Sequence, residues 1–438
     1  MKERKNNMKM TFSIAGDMLA QRRISPESDG FSEIKAHLEK GEVRFVNLET
    51  TLHNGEFPAN QFCGGSYLRA DPKTLDDVKA YGFNMISFAN NHTLDFGQGG
   101  LLATKKYVDE AGLVNTGAGS NLDEASAPAY LDTKSGRTAL ISVVSTINND
   151  AAIAGRQSRR FAGRPGVNAL RIASYLQVTK DQFETIKEIS RVSKINAQRD
   201  IERAEGYFTP LSDGAEALGN LEFKLGDETK YVTHPHPEDM ARVEKAIYEA
   251  EMMSDCIIVS VHSHEIAGDK KENPSDFLTE FAHKCIDAGA HAVVGHGPHL
   301  LRPIEIYKGR PIFYSLGDFV IHNECIPFAP EEMFAEKGMT SDSTMREFFC
   351  VRSKNYTRGL MRDHRMLEAI IPHFEMEDGK LTYLELMPIE LNFEKKIWQS
   401  GNPRFSADHG IIERLAEMSK TYGTEITVDE RGFGIVKL

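Results

Sequence analysis

The sequence predicts a layered α/β fold with mainly parallel strands. From Thr11 to about Val144, short runs of β-forming residues alternate with segments of helical character. This alternation is typical of strands joined by helices that cover the sheet. The chain has 438 residues, which exceeds the size at which one hydrophobic core usually keeps growing. We therefore expect either one large α/β domain with insertions or two domains.

Two helix-to-strand units are indicated by their end signals. Asp71-Pro72 supplies an N-cap followed by proline at the first helical position, and Gly82 ends this helix before the strand NMISFAN. Asn273-Pro274 begins a second unit, in which FLTEFAHKCIDAG leads into HAVVGH. Each unit therefore delivers a strand to a turn that carries histidine.

The character of the chain changes at residues 151–236, where the strand pattern stops and a long polar stretch of helical type follows. We interpret this stretch as a helical insertion. It separates a first half-domain at 11–150 from a second half of the same domain at 237–395, and 396–438 forms a C-terminal extension.

The insertion begins with a cluster of arginines. Such a run is commonly a solvated helix face. The alternative is a lid whose guanidinium groups hold an anionic substrate, since arginine matches the geometry of carboxylate and phosphate. In that case Arg159, Arg160 and Arg164 are the candidate substrate-binding residues.

The segment from Leu367 to Leu391 predicts a β-hairpin that extends a sheet. Its two arms, EAIIPHFEM and LTYLELMPIEL, are rich in β-forming residues. Asp378-Gly379 between them is a favoured hairpin turn.

Composition restricts the partners and the compartment. The net charge of −12 argues against general affinity for nucleic acid or anionic membrane, both of which require clustered positive charge. The five cysteines form no CxxC pair, which predicts reduced thiols. The first ten residues contain no signal-peptide core, and no apolar run is long enough to cross a bilayer. We expect a cytoplasmic protein without membrane insertion, whose oligomeric state the sequence does not indicate.

Polar side chains with metal-binding capacity follow several strand-like runs at the point where each run ends. In an open parallel sheet the loops that leave the carboxyl ends of the strands meet at one rim, so these side chains are expected to share a pocket. The set combines carboxylate, amide and imidazole groups: Asp17, Glu49, Asn90 or Asn91, His262, His296 and His299. Such a set without thiolate suits Mn, Fe or Zn. Six ligands exceed the needs of one tetrahedral ion, which favours two divalent metals that activate a water molecule.

His92 follows the asparagine pair and is a candidate catalytic residue. It could stand beside the metals and donate a proton to a leaving group. Asp95, three residues later, could orient His92 by accepting a hydrogen bond from its far ring nitrogen. The alternative for Asp95 is a cap or turn residue.

The ordered motifs resemble a known family. They are GD at Gly16-Asp17, NLE at 47–49, NNHTLDFG at 90–97, VH at Val261-His262, GHGPH at 295–299 and YSLGDF at 314–319. Together they are similar to the bacterial capsule synthesis (poly-γ-glutamate, CapA) family, a branch of the calcineurin-like metallophosphoesterases.

The resemblance implies a four-layer αββα sandwich with two metal ions at its rim. By motif, Asp17 and His299 would hold one metal, and Glu49 would bridge it to the other. Asn91, His262 and His296 would hold the second metal, and His92 takes the position of the catalytic histidine of the superfamily.

The sequence departs from the superfamily pattern at two places. The usual Asp-x-His is replaced by Asp17-Met18-Leu19, so one ligand of the first metal is missing, and Glu49 stands where an aspartate usually bridges. Another residue could complete the metal site or face the substrate. The candidates are His264, Glu265 and His322.

These observations predict a metal-dependent hydrolase that acts on a small anionic substrate, either a phosphoester or a γ-glutamyl amide. Two alternatives remain open at this point. One is a non-catalytic subunit of a capsule polymer machine, and the other is a metal-assisted peptide epimerase in which His92 abstracts a proton.

Overall fold

The computed structural model describes residues 9–208, 210–340, 342–396 and 398–438. Residues 1–8, on which the expectation of no signal peptide partly rests, lie outside the described residues. Within the described ranges, no helix combines the length and the apolar character that crossing a bilayer requires.

The described residues form 24 strands and 11 α-helices. In chain order the strands are β1 (Lys9–Leu19), β2 (Val43–Leu48), β3 (Thr51–Leu52), β4 (Arg69–Ala70), β5 (Met85–Ser87), β6 (Val114–Thr116), β7 (Ala118–Gly119), β8 (Ala129–Thr133), β9 (Gly136–Val144), β10 (Gly166–Val167), β11 (Ile172–Val178), β12 (Ala215–Leu218), β13 (Leu221–Leu225), β14 (Lys230–Pro235), β15 (Cys256–His262), β16 (Ala292–His296), β17 (Leu301–Tyr307), β18 (Arg310–Leu316), β19 (Asp318–Ile321), β20 (Glu368–Glu377), β21 (Lys380–Leu391), β22 (Pro403–Phe405), β23 (Ile426–Val428) and β24 (Gly434–Val436). The helices are α1 (Phe31–Leu38), α2 (Thr74–Tyr81), α3 (Gly97–Glu110), α4 (Leu122–Ser126), α5 (Lys180–Ser193), α6 (Ala197–Ala204), α7 (Pro237–Met253), α8 (Asp276–Asp287), α9 (Glu331–Ala335), α10 (Met345–Arg352) and α11 (His409–Ser419).

Two large sheets carry most of these strands. The first has ten strands in the order β23-β24-β21-β20-β1-β2-β5-β6, with β19 paired to β1 and β22 paired to β21. The second has six strands in the order β17-β18-β16-β15-β9-β8. The central strands β1, β2, β5 and β6 run parallel, as do β9, β15, β16 and β18. The predicted α/β class with mainly parallel central strands is confirmed.

Buried apolar clusters cover both faces of each sheet. One cluster joins Phe12 and Phe45 of the first sheet to Ile258 and Phe313 of the second, so the two sheets pack against each other. A second cluster packs α1 and α2 on the first sheet, and a third packs α7 and α8 on the second. This two-sided burial is what parallel strands require.

The two predicted helix-to-strand units are present, with later helix starts. In the first unit, the Asp71 side chain accepts a hydrogen bond from the backbone N–H of Lys73, which makes a turn before α2 begins at Thr74. Gly82 ends α2 with a φ of 96°, a left-handed conformation that glycine adopts readily.

The segment from 151 to 236 is mixed rather than purely helical, which corrects the sequence-based expectation. Helices α5 and α6 are present, but β11 to β14 form a four-stranded sheet in the order β12-β13-β11-β14. Side chains of these strands, such as Leu221, Leu225 and Tyr231, are exposed. Short, half-exposed strands lack the buried apolar run that marks a core strand in sequence.

The predicted hairpin is confirmed and belongs to the first sheet. Strands β20 and β21 pair around Asp378 and Gly379, whose φ angles are both positive, and β20 continues the sheet beside β1. Strands β22 and β24 also pair with β21, so the C-terminal segment is built into the same sheet.

A network of charges at Glu385 of β21 holds the C-terminal segment in place. The buried Glu385 carboxylate accepts hydrogen bonds from Lys40 at 2.5 Å, from Arg431 at 2.7 Å and from the Tyr383 hydroxyl at 2.9 Å. Burial opposes the charge of Glu385, but these donors outweigh it and lower its pKa to about 2.

We expect Glu385→Gln to lower the free energy of unfolding by about 2 kcal/mol at pH 7, because charge-assisted hydrogen bonds to Lys40 and Arg431 are lost. The folded-state pKa of Glu385 lies below its ordinary value of 4.5, so this contribution is complete above about pH 4.5 and disappears as the pH falls towards 2. Urea unfolding at pH 7 and at pH 3 measures the difference between variant and wild type, which should shrink at the lower pH.

The control is Glu413→Gln, which changes an exposed carboxylate on α11. Equal stability of Glu385→Gln and Glu413→Gln at pH 7 would contradict the role of the network.

Candidate metal centre

The strand ends that carry the predicted ligands meet where the two sheets adjoin. Asp17 lies in β1, Glu49 follows β2, and His262 and His296 end β15 and β16. The parallel register places Asp17 opposite Asn47 and His262 opposite His296. The side chains of Asp17, Glu49, His262 and His296 are fully buried.

Asp17 is fixed by several neighbours. Its Oδ1 accepts a hydrogen bond from Asn47 Nδ2 at 2.6 Å and lies 3.2 Å from Nδ1 of His296. Its Oδ2 accepts a hydrogen bond from the backbone N–H of Gly297 at 2.7 Å. Burial opposes its charge, but the interactions with His296 and His262 outweigh burial and hold the pKa of Asp17 well below its ordinary value. Asp17 is therefore an ionised donor.

Two imidazoles converge beside this carboxylate. Nδ1 of His262 lies 3.0 Å from Nδ1 of His296 and 3.6 Å from Oδ1 of Asp17. Burial lowers the pKa of His262 to about 4, which leaves the neutral imidazole that metal binding requires. Asp17, His262 and His296 thus form one group that could hold a metal ion.

Glu49 is the carboxylate with the least compensation. Both of its oxygens are buried, and neither accepts a hydrogen bond within the described part of the chain. Nε2 of His262 and Nε2 of His92 lie 3.6 and 3.8 Å from Oε1, too far for hydrogen bonds. A buried acceptor without a donor is unfavourable. A divalent cation at this position would satisfy it.

The charges around Glu49 strengthen the same conclusion. Burial, followed by the nearby charges of Asp17 and Asp318, raises the pKa of Glu49 well above its ordinary value. His264 and His299 complete a second group with Glu49 that could hold a metal ion. The donor set of carboxylate and imidazole suits Mn, Fe or Zn.

Asp318 belongs to the centre, although the sequence analysis did not propose it as a ligand. Its Oδ1 lies 2.9 Å from Nδ1 of His299, and its Oδ2 is buried and has no hydrogen-bond partner in the described ranges. Asp318 is in parallel register with Asp17, and the two carboxylates form a third group with His299. A signal was present, since Asp318 directly follows a β-rich run, as Asp17 does within its own.

Close backbone contact makes this grouping possible. A Cβ atom on Gly16 would lie 1.8 Å from the carbonyl oxygen of Gly317, so only glycine lets β1 approach the turn before Asp318. His299 adopts a φ of 58°, a conformation that costs a non-glycine residue about 1 kcal/mol. Its interaction with Asp318 helps to hold this conformation.

His92 is held firmly at the side of Glu49. Its Nδ1 donates to Oδ2 of Asp95 at 2.7 Å. Asp95 also accepts hydrogen bonds from the backbone N–H groups of Gly64 and Leu68, at 2.9 and 2.8 Å. Gly64 packs on the imidazole face, where a Cβ atom would come within 2.5 Å of ring atoms. The contacts leave Nε2 of His92 directed towards Glu49.

The two asparagines before His92 differ in what their amide oxygens can do. Oδ1 of Asn90 accepts a hydrogen bond from the backbone N–H of His92 at 3.1 Å. Asn91 donates from Nδ2 to the carbonyl of Gly64 at 3.0 Å, whereas its Oδ1 is buried and has no partner in the described residues. Asn91 is therefore the one whose amide oxygen is available to a ligand.

His264 and Glu265 have different surroundings. Nε2 of His264 lies 3.1 Å from Nε2 of His262, within the centre. The carboxylate of Glu265 accepts hydrogen bonds from the hydroxyls of Ser145, Ser263 and Thr146 at 2.8 to 3.1 Å. Glu265 thus supports the loop that carries His264.

His322 is engaged on both ring nitrogens. Nδ1 accepts from the backbone N–H of Gln21 at 3.3 Å, and Nε2 lies 2.8 Å from Oδ1 of Asn402. Burial lowers the pKa of His322 to about 3. These contacts are those of a neutral interior histidine, and none of them involves the centre.

The arginine cluster does not contact the centre in the described ranges. Arg159, Arg160 and Arg164 are exposed, and Arg164 donates to the carbonyl of Ile153. The side chains of Arg159 and Arg160 form no hydrogen bond or ion pair with the described residues. The structure therefore offers no contact that supports a closed lid.

Comparison with known proteins identifies the family. The family model named "Bacterial capsule synthesis protein PGA_cap" matches residues 11–323, which is more than half of the chain and includes all three groups of candidate ligands. The chain belongs to the PGA_cap family. The predicted family membership is confirmed.

Individual relatives extend this similarity to the C-terminal segment. Protein y4sH of Sinorhizobium fredii is 33% identical over 98% of the chain and 93% of its own length. The capsule biosynthesis protein CapA of Bacillus anthracis is 24% identical over 72% of the chain and 61% of its own length. The crystal structure of a hypothetical protein from Thermus thermophilus aligns with 87% of the chain and 99% of its own, at 11% identity and a TM-score of 0.40, which is too low to support a structural argument.

We expect the wild-type chain to bind Mn²⁺ or Zn²⁺ in equilibrium dialysis and to gain thermal stability from it, since the ion compensates buried carboxylates. Glu49→Gln and His296→Ala should each weaken binding by more than about tenfold, the effect of losing even an outer partner of a metal ligand. Metal analysis and melting curves provide the two measurements.

The matched control is His37→Ala, which removes a buried histidine that packs against Phe433. It should keep full metal binding even if its melting temperature falls. A His296→Ala protein with wild-type metal content would show that the imidazole is not a ligand.

Proposed function

We propose that this protein is a metal-dependent hydrolase acting on an anionic substrate, either a phosphoester or a γ-glutamyl amide, in capsule or poly-γ-glutamate metabolism. The observation that carries the proposal is the buried Glu49 carboxylate, which has no donor among the described residues and faces Nε2 of both His92 and His262. Membership of the PGA_cap family and similarity to a capsule biosynthesis protein support the metabolic setting.

The proposed architecture is the four-layer αββα sandwich of the metallophosphoesterases. The packing of the two sheets against each other, with α1 and α2 outside one and α7 and α8 outside the other, supports it. In this arrangement the loops after β1, β2, β15 and β16 open at one rim, where a substrate can reach their side chains.

The proposed cofactor is a pair of divalent cations, of Mn, Fe or Zn. Its ligands would be Asp17, Glu49, Asn91, His262, His264, His296, His299 and Asp318. His264 and Asp318 would compensate for the histidine that the Asp17-Met18-Leu19 sequence lacks. When bound, such cations lower the pKa of water towards neutrality and stabilise negative charge that develops on the substrate.

His92 is the proposed proton donor to the leaving group. Because Nδ1 donates to Asp95, Nε2 is the nitrogen that can exchange a proton with the substrate. The Asp95 carboxylate stabilises the imidazolium and keeps the ring oriented, and it is itself held by two backbone N–H groups. A proton from Nε2 serves a leaving oxygen of an ester and a leaving nitrogen of an amide equally well.

We expect His92→Ala to lower kcat by about 10² to 10⁴, the usual contribution of general acid catalysis, while metal content stays unchanged. Turnover of bis-p-nitrophenyl phosphate, p-nitrophenyl phosphate and γ-glutamyl-p-nitroanilide by the metal-loaded protein is the measurement. His37→Ala again serves as the control for loss of a buried imidazole. Wild-type protein that holds metal but hydrolyses none of the three substrates would contradict the proposal.

We expect Gly64→Ala to lower kcat by about 100-fold, because a Cβ atom at this position displaces the His92 ring and small displacements of a catalytic group are costly. Metal content should remain that of the wild type. The control is Gly410→Ala, where the added Cβ meets mainly the ends of the Asp408 and Arg414 side chains, which can move. Equal kcat for Gly64→Ala and wild type would show that ring position does not limit the reaction.

A further inference from the structure

We infer that Lys271 binds the anionic group of the substrate beside the metal centre, an inference that rests on the proposed hydrolase function. Lys271 lies in the loop between β15 and α8. The same loop carries His264, one of the candidate ligands. The assignment goes to this lysine rather than to the arginines of the insertion, which have no contact with the centre in the described ranges.

The ammonium group of Lys271 has no carboxylate partner in the described part of the chain. Lys271 is partly buried, and the hydrogen-bond partner of its Nζ is the thioether sulfur of Met366, at 3.8 Å. A thioether is only a weak acceptor. A partly buried cation with such a partner is undercompensated, and binding an anion would correct this.

The acidic groups near Lys271 are already paired with Arg365. Nε and Nη2 of Arg365 donate to the two oxygens of Asp363 at 2.9 and 2.6 Å. Nη1 of the same guanidinium donates to Glu272. Because one arginine occupies both carboxylates, the charge of Lys271 remains available for a ligand.

Arg302 fixes the backbone of Lys271 relative to the centre. It is fully buried and donates to the carbonyl oxygens of Lys271 at 3.1 Å and of Ser263, His264 and Glu265 at 2.9 to 3.3 Å. One guanidinium thus connects the start of the loop, which carries His264, to its later part, which carries Lys271. A residue that recognises substrate must be held in this way.

The charge of Lys271 is felt inside the centre. It acts to lower the pKa of both His299 and Asp318, and Asp318 in turn acts to raise the pKa of Lys271. Coulombic interactions decline with distance and are strongest where water is excluded. An anion that approaches the ions held by Asp318 and His299 therefore comes under the attraction of Lys271.

The chemistry of the ligand follows from the ammonium group. A lysine is a compact point charge that binds either a phosphate oxygen or a carboxylate, without the planar preference of arginine. A phosphoester offers the first and the α-carboxylate of a γ-glutamyl unit offers the second. Lys271 would bind either anion next to the bond that is broken.

The test uses the full-length, Mn²⁺-loaded protein and compares Lys271→Met with wild type. Calorimetry measures binding of inorganic phosphate. Steady-state kinetics measures KM and kcat for bis-p-nitrophenyl phosphate, and for γ-glutamyl-p-nitroanilide with its α-carboxylate free or converted to the amide. We expect Lys271→Met to weaken phosphate binding and to raise KM for the true substrate about tenfold or more, as loss of a charge-assisted hydrogen bond does. The effect on kcat should be smaller, Lys271→Arg should recover most of the binding, and the metal content should not change.

The two substrate arms identify the anion. If the α-carboxylate is the group bound, conversion to the amide should raise KM in wild type and have little effect in Lys271→Met. If the group is a phosphate, the change in KM should appear with bis-p-nitrophenyl phosphate. Lys270→Met is the control, because Lys270 is the exposed neighbour and is expected to behave as wild type.

Wild-type binding of both probes by Lys271→Met would overturn the inference, and so would an equal loss in Lys270→Met or loss of metal from Lys271→Met. If Lys271→Met does not fold, Lys271→Gln replaces it in the same comparison. Failure of the hydrolase proposal is a separate result. A wild-type protein without turnover that binds phosphate through Lys271 would support the inference alone, and one that binds neither probe would overturn it.

Discussion

Four carboxylates lie fully buried where the two large sheets meet, and the rest of the site is arranged around them: Asp17, Glu49, Asp95 and Asp318. Burial of negative charge is unfavourable unless donors or cations compensate for it. Asp17 and Asp95 each accept hydrogen bonds from backbone N–H groups and contact histidine. Glu49 has no such donor among the described residues, so its burial is the strongest physical reason to place a cation here.

The contrast between Glu49 and Glu385 shows why the two buried glutamates have different roles. Glu385 is surrounded by Lys40, Arg431 and Tyr383, which lower its pKa and connect distant segments of the chain. Glu49 is near other carboxylates, which raise its pKa. A carboxylate compensated by protein cations stabilises the fold, whereas one surrounded by carboxylates and imidazoles is prepared for a cation from solution.

Rigid backbone contacts position the groups that would react. Gly64 packs on the His92 ring and Gly16 contacts the carbonyl of Gly317, both at distances that exclude a side chain. Arg302 connects four backbone carbonyls of the loop that carries His264 and Lys271. Preorganisation of this kind keeps the donors in place without further ordering when substrate binds.

The sequence by itself determined the α/β class, the hairpin at Asp378-Gly379 and the placement of Asp17, Glu49, His262 and His296 near strand ends, because apolar runs and turn residues are local signals. It did not indicate the strands of the insertion, which are short and half-exposed. Only the tertiary structure decided which donors share a group. It placed His262 with Asp17, brought Asp318 into register with Asp17, and left Lys271 without a carboxylate partner in the described residues. Each of these depends on pairing between segments far apart in the chain, and no local pattern of residues encodes such pairing.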